Sequence, residues 1–171
     1  HTLKKQIIEK RKNFIEKISP YAKEIHSYIS GGDEIELNLE TPHYNGGGVD
    51  ELVSAYAERV EKDIILGYTT VGPHRDDIKI KVKGEDVRVF GSQGQQRTAA
   101  LSLKLAEVKH FYSLFNEYPV LILDDALSEL DYNRRKRLID LLSGFQTIIT
   151  LTEIPEELKG AKAKIFKIQN G

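Results

Sequence analysis

The sequence contains no cysteine and no methionine. Without cysteine, disulfide bonds and thiolate metal sites are excluded, and a reducing cytoplasm is compatible with the chain, so we predict a cytoplasmic location. No apolar run approaches the ~18 residues that a membrane-spanning helix needs, and the opening stretch His1–Lys17 is too charged for a secretory signal. A net charge of −1 provides no overall field that would attract nucleic acid, so any contact with DNA must be local.

The proportions of residue types indicate a folded domain. Of the 171 residues, 40% are hydrophobic and 30% are charged, which is typical of soluble globular proteins and not of disordered or membrane proteins. The length suits one ordinary domain, or a compact lobe with an appendage.

Residues 1–66 are predicted to form a helical arm or lid. From Leu3 to Ile29, apolar residues recur at steps of three, four or seven, which indicates an amphipathic helix that ends at Gly31-Gly32. Pro20 lies inside this helix and is expected to kink it or restart it, because proline lacks a backbone donor.

A strand and a second helix complete the predicted arm. Alternating acidic and apolar residues predict a half-exposed strand at 34–40, and three glycines predict a flexible loop at 41–48. Asp50 is expected to cap the second helix, whose apolar stripe would pack against the first helix. The stripe consists of Leu52, Tyr56, Val60 and Ile64.

Residues 67–171 have the pattern of an α/β fold, in which strands and helices alternate. Apolar residues alternating on both sides of a polar turn predict a hairpin from Ile78 to Val89. Ser92 begins a polar turn leading into an apolar-periodic helix from Leu101 to Phe115. The remaining predicted elements are strands at Val120–Leu123, Thr147–Leu151 and Lys164–Ile168, and helices at Tyr132–Leu142 and Pro155–Leu158.

Two adjacent carboxylates, Asp124 and Asp125, follow the short apolar strand. Mg²⁺-nucleotide chemistry uses such a pair, in which one carboxylate anchors the metal through water and the next polarises the attacking water. The carboxyl end of a parallel strand also opens on the ligand crevice of an α/β sheet. An acidic, solvated turn would have the same sequence, so the pair alone leaves both interpretations open.

A second candidate site lies about thirty residues upstream, where Ser92-Gln93-Gly94-Gln95 opens a helix. A serine, a small residue and free backbone N–H groups at a helix N-terminus form an anion site, because the helix dipole and the unpaired donors face the ligand. A helix cap at Ser92 and a turn at Gly94 would explain the same residues without any ligand.

Taken in order, these segments resemble the ATP-binding heads of the ABC/SMC superfamily. Ser92–Gln95 corresponds to the signature motif, Leu121–Asp125 to the Walker B strand, and Ser128–Asp131 to the D-loop. Together with Gly72–Asp77 and the full run Gly91–Thr98, they make the sequence similar to the RecF family of bacterial recombination mediators.

The resemblance implies an α/β fold in which residues 67–171 form the C-terminal lobe of an ABC/SMC-type ATPase head. Residues 1–66, assigned by continuity only, would be the helical arm or lid. It also implies ATP and Mg²⁺ as cofactors and a homodimer that depends on ATP. DNA, as single-strand/double-strand junctions or duplex, and the proteins RecR and RecO are the implied partners in repair, replication, recombination and the SOS response.

The same resemblance implies roles for individual residues. Asp124 would hold Mg²⁺ through water and Asp125 would activate the attacking water, both for the subunit's own ATP. The D-loop residues would be Ser128 and Asp131, and Thr152 would stand at the switch position. The residues that would cap the partner subunit's ATP in trans are Ser92, Gln93, Gly94 and Gln95.

Several positions depart from the superfamily pattern. Gln93 replaces the first glycine of the signature, Asp125 stands where most of these heads carry glutamate, and Thr152 aligns with a switch histidine. A threonine can hydrogen-bond a phosphate but cannot become cationic. The sequence also contains no G-x-x-x-x-G-K-[ST] phosphate-binding loop. We therefore predict that this chain by itself is inactive as an ATPase.

The segment His74-Arg75-Asp76 is not the catalytic loop of a protein kinase, because Lys81 stands where that loop needs asparagine. It remains open whether His74 and Arg75 lie in a polar connecting loop or contact DNA or a neighbouring domain. The basic runs at 4–17 and 134–137 are interpreted as solvated helix surface in preference to DNA contacts. The histidines interpreted as incidental are His1, His26, His43 and His110.

Two other classes of protein fit parts of the sequence. A non-catalytic interaction module would use the acidic turn to bind a protein partner. Another SMC-like head would need long coiled-coil heptads beside the lobe, for which residues 1–66 are too short and too interrupted.

Overall fold

The computed structural model describes residues 2–41, 49–159 and 161–168. The helices are α1 Thr2–Ser30, α2 Val49–Leu66, α3 Val87–Phe90, α4 Gln93–Phe115 and α5 Tyr132–Leu142. The strands are β1 Ile35–Glu40, β2 Asp77–Val82, β3 Glu85–Asp86, β4 Leu121–Asp124 and β5 Thr147–Thr150, with single 3₁₀ turns at Pro73–Arg75 and Glu156–Leu158. None of the helices in these ranges is long and apolar enough to span a membrane.

Helix α1 is the longest element and forms one side of the main hydrophobic core. Its apolar stripe, including Ile18, Ile25 and Ile29, is buried against α4 and α5. The helix is continuous through Pro20, so the expected restart at this residue is wrong. Gly31, with φ of 86°, adopts the left-handed conformation that ends the helix, as the glycine pair predicts.

Helix α2 belongs to a smaller cluster at the other end of α1. Leu52 and Ala55 pack with Ile8 and Val71, which confirms contact with the first helix for the N-terminal half of α2. The second half of the predicted stripe is not buried, since Ile64 is 75% exposed. The helix begins by Val49, so Asp50 lies in its first turn; the loop predicted at 41–48 lies almost entirely outside the described residues.

An antiparallel sheet in the order β1-β2-β3 joins the two predicted regions of the chain. Strand β1 pairs with β2 over its whole length, from Ile35 opposite Val82 to Glu40 opposite Asp77. Because this pairing connects residues on both sides of position 66, the division into 1–66 and 67–171 stays a prediction.

The predicted hairpin from Ile78 to Val89 is correct in its turn and wrong in its second strand. Lys83 and Gly84 both have positive φ, which is the geometry of a two-residue hairpin turn. Strand β3 is only two residues long, because Asp86 caps α3 by accepting a hydrogen bond from the Arg88 N–H at 3.0 Å. Val87 therefore begins a short helix and is buried in the main core.

The remaining elements follow the predicted α/β order up to β5. Strands β4 and β5 are parallel, with Leu121 opposite Thr147 and Asp124 opposite Thr150. Their helical connection is α5, whose Leu138 and Leu142 are buried in the core. The strand predicted at Lys164–Ile168 is wrong: this segment is exposed and has no regular structure. Its alternating sequence has no neighbouring strand to pair with in the described part of the chain.

His26 is buried at the α1–α4 interface together with Thr98 and Ser102 of α4. Its interpretation as incidental to ligand binding stays a prediction, and the structure adds a packing role that the sequence did not indicate. Its side chain is 1% exposed, and Nδ1 lies 3.3 Å from the Ser102 hydroxyl. That hydroxyl donates to the Thr98 carbonyl at 2.7 Å, so it accepts from Nδ1–H and the neutral ring carries its proton there. Burial lowers the pKa of His26 from the usual 6.5, with Arg134 adding to this effect and Asp33 opposing it.

We expect the protein to lose stability as the pH falls below 6.5, the value for an unperturbed histidine. The unfolded chain binds the proton first, because the folded-state pKa of His26 is lower. Each pH unit over which only the unfolded chain is protonated costs about 1.4 kcal/mol, or roughly 3–5 °C in melting temperature for this chain length.

The measurement is a series of thermal melts between pH 8 and pH 5 on the wild type and His26→Gln. The melting temperature of the variant should depend less steeply on pH than that of the wild type. His110→Gln, the same change at a half-buried histidine of α4, is the matched control for the effect of the substitution itself on the melting temperature at pH 8. Equal slopes for wild type and His26→Gln would contradict the assignment.

Candidate functional site

The N-terminus of α4 carries the predicted signature residues. Ser92 caps the helix by accepting the Gln95 N–H at 3.3 Å, while the Gln95 side chain accepts the Ser92 N–H at 2.9 Å. This reciprocal capping box fixes the first turn and explains both residue types locally. Ser92 and Gln93 are exposed, so the turn that the sequence assigns to ATP capping is open to solvent.

Gly94 lies in the first turn of α4, at a point of close approach to α5. A Cβ at this position would lie 2.9 Å from Nη1 of Arg134. Arg134 is itself held by Asp131, whose carboxylate lies 3.4 Å away and caps α5 through the Arg134 N–H at 3.0 Å. A side chain at position 94 would displace the flexible end of Arg134, so the close approach favours a small residue here.

Asp124 ends β4 with its side chain in contact with the neighbouring strand. Thr150 stands directly opposite Asp124 in the parallel pairing, and its hydroxyl donates a hydrogen bond to Oδ1 of that carboxylate. The sequence indicated a carboxylate at the end of this strand, and the strand pairing adds a hydroxyl beside it.

Asp125 adopts a left-handed backbone conformation with φ of 45°. Its N–H donates to the Thr150 hydroxyl at 3.1 Å, and its carbonyl accepts from Nη2 of Arg97 at 2.7 Å. Aspartate and asparagine tolerate this conformation better than most residues, and such a backbone persists only where its surroundings hold it. Both peptide groups of Asp125 are held here by side chains from other elements.

The predicted D-loop forms the turn between the carboxylates and α5. Ser128 donates to Oδ2 of Asp125 at 3.0 Å and lies 3.1 Å from the carbonyl oxygen of the same residue. Asp131 is the cap of α5. Leu127 precedes Ser128 and Leu130 precedes Asp131; both leucines are buried in the main core, so apolar anchors fix this polar turn.

Arg97 connects the two halves of the candidate site. It lies on α4, one turn after Gly94, and reaches the carbonyl of Asp125. Its Nε lies 3.8 Å from a carboxylate oxygen of Glu129 in the D-loop. The signature helix and the carboxylate turn, thirty residues apart in sequence, are therefore joined by one guanidinium group.

Thr152, predicted at the switch position, lies beyond the end of β5 and is exposed. It makes none of the recorded hydrogen bonds to Asp124 and Asp125; the residue of this strand that does so is Thr150. The assignment of Thr152 stays a prediction.

His74 and Arg75 lie apart from the carboxylates, in the 3₁₀ turn before β2. Both are exposed and contact the Thr69 carbonyl, His74 through Nε2 at 3.1 Å and Arg75 through Nε at 3.1 Å. The turn is attached to α1 by Arg11, which donates to Oδ2 of Asp76 at 3.0 Å. These contacts position the loop, and a role in binding DNA or another domain stays a prediction.

The basic run at 134–137 is not the solvated surface that we expected. Arg135 pairs at 2.8 Å with Glu157, whose side chain is 2% exposed. Arg137 donates to the Ile29 carbonyl at the end of α1, and Arg134 packs on the signature turn. Lys136 is the exposed residue of this run, and the three arginines connect α5 to its neighbours.

The carboxylates fit Mg²⁺ as a partial ligand set. No cluster of three or more potential ligand residues occurs within residues 2–41, 49–159 and 161–168. Mg²⁺ is commonly held by one or two carboxylates together with water and substrate phosphates. Asp124 can supply such an oxygen, since it is exposed and the recorded hydrogen bond from Thr150 occupies Oδ1 alone.

Reasoning from the sequence missed Thr150, Arg97 and Arg134 as neighbours of the predicted site residues. Thr150 could have been found by aligning the two predicted parallel strands, which places it beside Asp124. Arg97 and Arg134 act through long side chains that cross between elements, and no spacing in the sequence indicates such contacts.

Comparison with known proteins identifies what the fold resembles. No protein-family model matches the chain. It is 41% identical over 170 residues to the DNA replication and repair protein RecF of Clostridium beijerinckii, an alignment spanning 96% of this chain and 46% of that protein. Identity is 45% with RecF of Agathobacter rectalis, over 98% of this chain and 46% of that protein.

Solved structures give the same result. The recombination mediator protein RecF-ATPrS of the RecFOR pathway matches with a TM-score of 0.72 and 36% identity, over 90% of this chain and 43% of that chain. A structure from work on the ATP-driven dimerisation of SMC ATPases matches with a TM-score of 0.58 over 96% of this chain and 84% of that chain. At 21% identity, the second match shows the fold alone.

The fold is thus a mixed helix and strand fold that matches part of the RecF and SMC ATPase head structures, with a long helix at its N-terminal end, which confirms the predicted fold class. Within this class, the chain is homologous to the carboxyl-terminal part of the RecF proteins. It spans about half the length of the curated relatives it matches, with 46% of the C. beijerinckii protein covered.

Proposed function

We propose that this chain is the part of a RecF-like ATPase that caps ATP and holds the Mg²⁺ and water carboxylates. The observation that carries the proposal is the hydrogen bond from Arg97 on the signature helix to the Asp125 carbonyl at 2.7 Å. It makes the exposed helix N-terminus and the paired carboxylates parts of one structure. A solvated acidic turn and an unrelated helix cap would need no such connection.

In the proposed mechanism, two full-length subunits bind two ATP molecules between them. The first turn of α4 offers unpaired backbone N–H groups and the positive end of the helix dipole to the phosphates of the partner's ATP. Asp124 would hold Mg²⁺, and Asp125 would orient and polarise the water that attacks the γ-phosphate. In this proposal, the phosphate-binding loop would come from a part of the full-length protein that this chain does not include.

The biological setting is proposed from the relatives. Curated proteins that match this chain are named DNA replication and repair protein RecF, and a matching structure is described as part of the RecFOR pathway. We propose that the full-length protein acts on DNA in recombinational repair and replication, together with RecR and RecO. Dimerisation around ATP would close the protein on DNA, and hydrolysis of the ATP would release the DNA.

We predict that this chain alone neither binds ATP with micromolar affinity nor hydrolyses it, because the main phosphate cradle is absent from its sequence. Isothermal titration calorimetry with ATP and Mg²⁺ measures the affinity, and phosphate release measures turnover. Micromolar binding by this chain would contradict the division of the active site.

The full-length protein is the matched comparison for this prediction. It should sediment as a dimer with ATP and as a monomer without it, and duplex DNA should alter its rate of hydrolysis. A full-length protein that stays monomeric with ATP, or never hydrolyses it, would overturn the proposed function and favour an interaction module.

A further inference from the structure

We infer that Thr150 is a positioning residue for both active-site carboxylates. Its hydroxyl group donates to Oδ1 of Asp124 and accepts the backbone N–H of Asp125 at 3.1 Å. A single hydroxyl group has one hydrogen to donate and two lone pairs to accept, so one side chain serves the two carboxylates in different ways. This inference rests on the proposed function, in which these carboxylates act on Mg²⁺ and water.

The donated hydrogen bond fixes the carboxylate that would hold the metal. The hydrogen bond from Thr150 to Oδ1 restricts rotation of the Asp124 carboxylate, whose Oδ2 would be the oxygen available to hold Mg²⁺ or its water. Outer partners of this kind orient metal ligands, and their loss typically costs about 10- to 100-fold in metal affinity or activity.

The accepted hydrogen bond fixes the backbone of the carboxylate that would act on water. Asp125 is left-handed, with φ of 45°, and its carbonyl is already held from the α4 side by Arg97. Thr150 holds the opposite end of the residue, its N–H. Rotation about the Asp125 backbone would swing the carboxylate away from the direction that Ser128 and the two backbone contacts impose.

Strand pairing explains why a residue of β5 can do this. Thr150 is the register partner of Asp124 in the parallel sheet, so neighbouring strands bring the two side chains together at the carboxyl edge. A β-branched residue is stiff about χ1, which limits the directions available to its hydroxyl group. Thr152, at the position of the superfamily's switch histidine, shares in neither hydrogen bond.

Thr150→Val in the full-length protein tests the inference, because valine keeps the size and branching of threonine and removes the hydroxyl. We expect kcat to fall about 10- to 100-fold and the Mg²⁺ concentration for half-maximal activity to rise several-fold. ATP-dependent dimerisation, followed by sedimentation, should persist. Thr150→Ser retains the hydroxyl, so its kcat and its Mg²⁺ concentration for half-maximal activity should stay close to the wild-type values.

A second readout needs neither nucleotide nor metal. Hydrogen–deuterium exchange of the peptide covering residues 121–128 reports the N–H of Asp125. Thr150→Val should exchange faster there than the wild type, while Thr150→Ser should not. Thr147→Val is the matched control, because it makes the same change at the other end of β5; its exchange and kinetics should match those of the wild type.

The two readouts separate this inference from the proposed function. If Thr150→Val matches the wild type in kinetics, Mg²⁺ dependence and exchange, Thr150 has no positioning role. A serine variant as impaired as the valine variant would also overturn the inference, since the hydroxyl would then not be the cause. A wild-type protein without ATPase activity would instead overturn the proposed function, and the exchange result would still decide whether Thr150 holds Asp125.

Discussion

Asp125→Asn in the full-length protein is expected to abolish ATP hydrolysis while leaving ATP-driven dimerisation intact. Asparagine has nearly the same shape as aspartate and tolerates a left-handed backbone equally well, so the φ of 45° can be kept. The Ser128 hydroxyl can still donate to the side-chain oxygen. What is lost is the negative charge that would polarise water, and a positioned acid–base group typically contributes about 10²- to 10⁴-fold to the rate.

The measurements are single-turnover phosphate release and sedimentation with ATP. We expect release to slow at least 100-fold and the dimer to last longer, because hydrolysis no longer dissociates it. Asp140→Asn is the matched control, an exposed aspartate on α5 away from the carboxylate turn. Hydrolysis within a few-fold of the wild-type rate would show that Asp125 is not the group acting on water.

The sequence predicts those features of the site that depend on contacts between residues close together in the chain. Ser92 and Gln95 form a capping box between neighbouring residues, and the apolar run 121–123 forms a strand wherever its neighbours allow. Patterns of this kind depend on a few adjacent residues and are readable without a structure. The order of elements and the location of the carboxylates could therefore be predicted.

Contacts between distant elements could not be predicted in this way. Lys164–Ile168 alternates like a strand yet has no regular structure, because a strand needs a neighbour and alternation does not supply one. Val89 was predicted as a strand residue, but the cap at Asp86 starts a helical turn first. For the same reason Thr152, and not Thr150, was predicted as a site residue. Alignment to a motif gives only a position in the sequence, whereas the strand register determines which hydroxyl group lies beside a carboxylate.

Arg97 shows how the two halves of the site depend on each other. Its guanidinium group is held between the Asp125 carbonyl and Glu129 of the D-loop. In the proposed dimer, α4 faces the partner's ATP and Asp125 faces the subunit's own ATP. Arg97 would thus join structures that bind two different nucleotides. A displacement of α4 when it caps the partner's ATP would therefore shift the backbone of Asp125 in the same subunit.

Ser92→Arg in the full-length protein is expected to prevent ATP-dependent dimerisation. Ser92 is exposed at the start of α4, where the partner's phosphates would approach the backbone N–H groups at close range. An arginine side chain would fill that space and would also remove the cap, which costs about 1 kcal/mol of helix stability. We expect no dimer in sedimentation at ATP concentrations that saturate the wild type, with hydrolysis reduced to background.

Two further variants separate obstruction from loss of the cap. Ser92→Asn retains a capping side chain of modest size and should keep most of the dimerisation. Ser92→Ala loses the cap but leaves the space open, so it should melt at a lower temperature and still dimerise when ATP is in excess. If Ser92→Arg dimerises as well as the wild type, capping in trans by this turn is wrong. If the alanine and arginine variants fail equally, the cap itself, and not access to the partner's ATP, is what dimerisation requires.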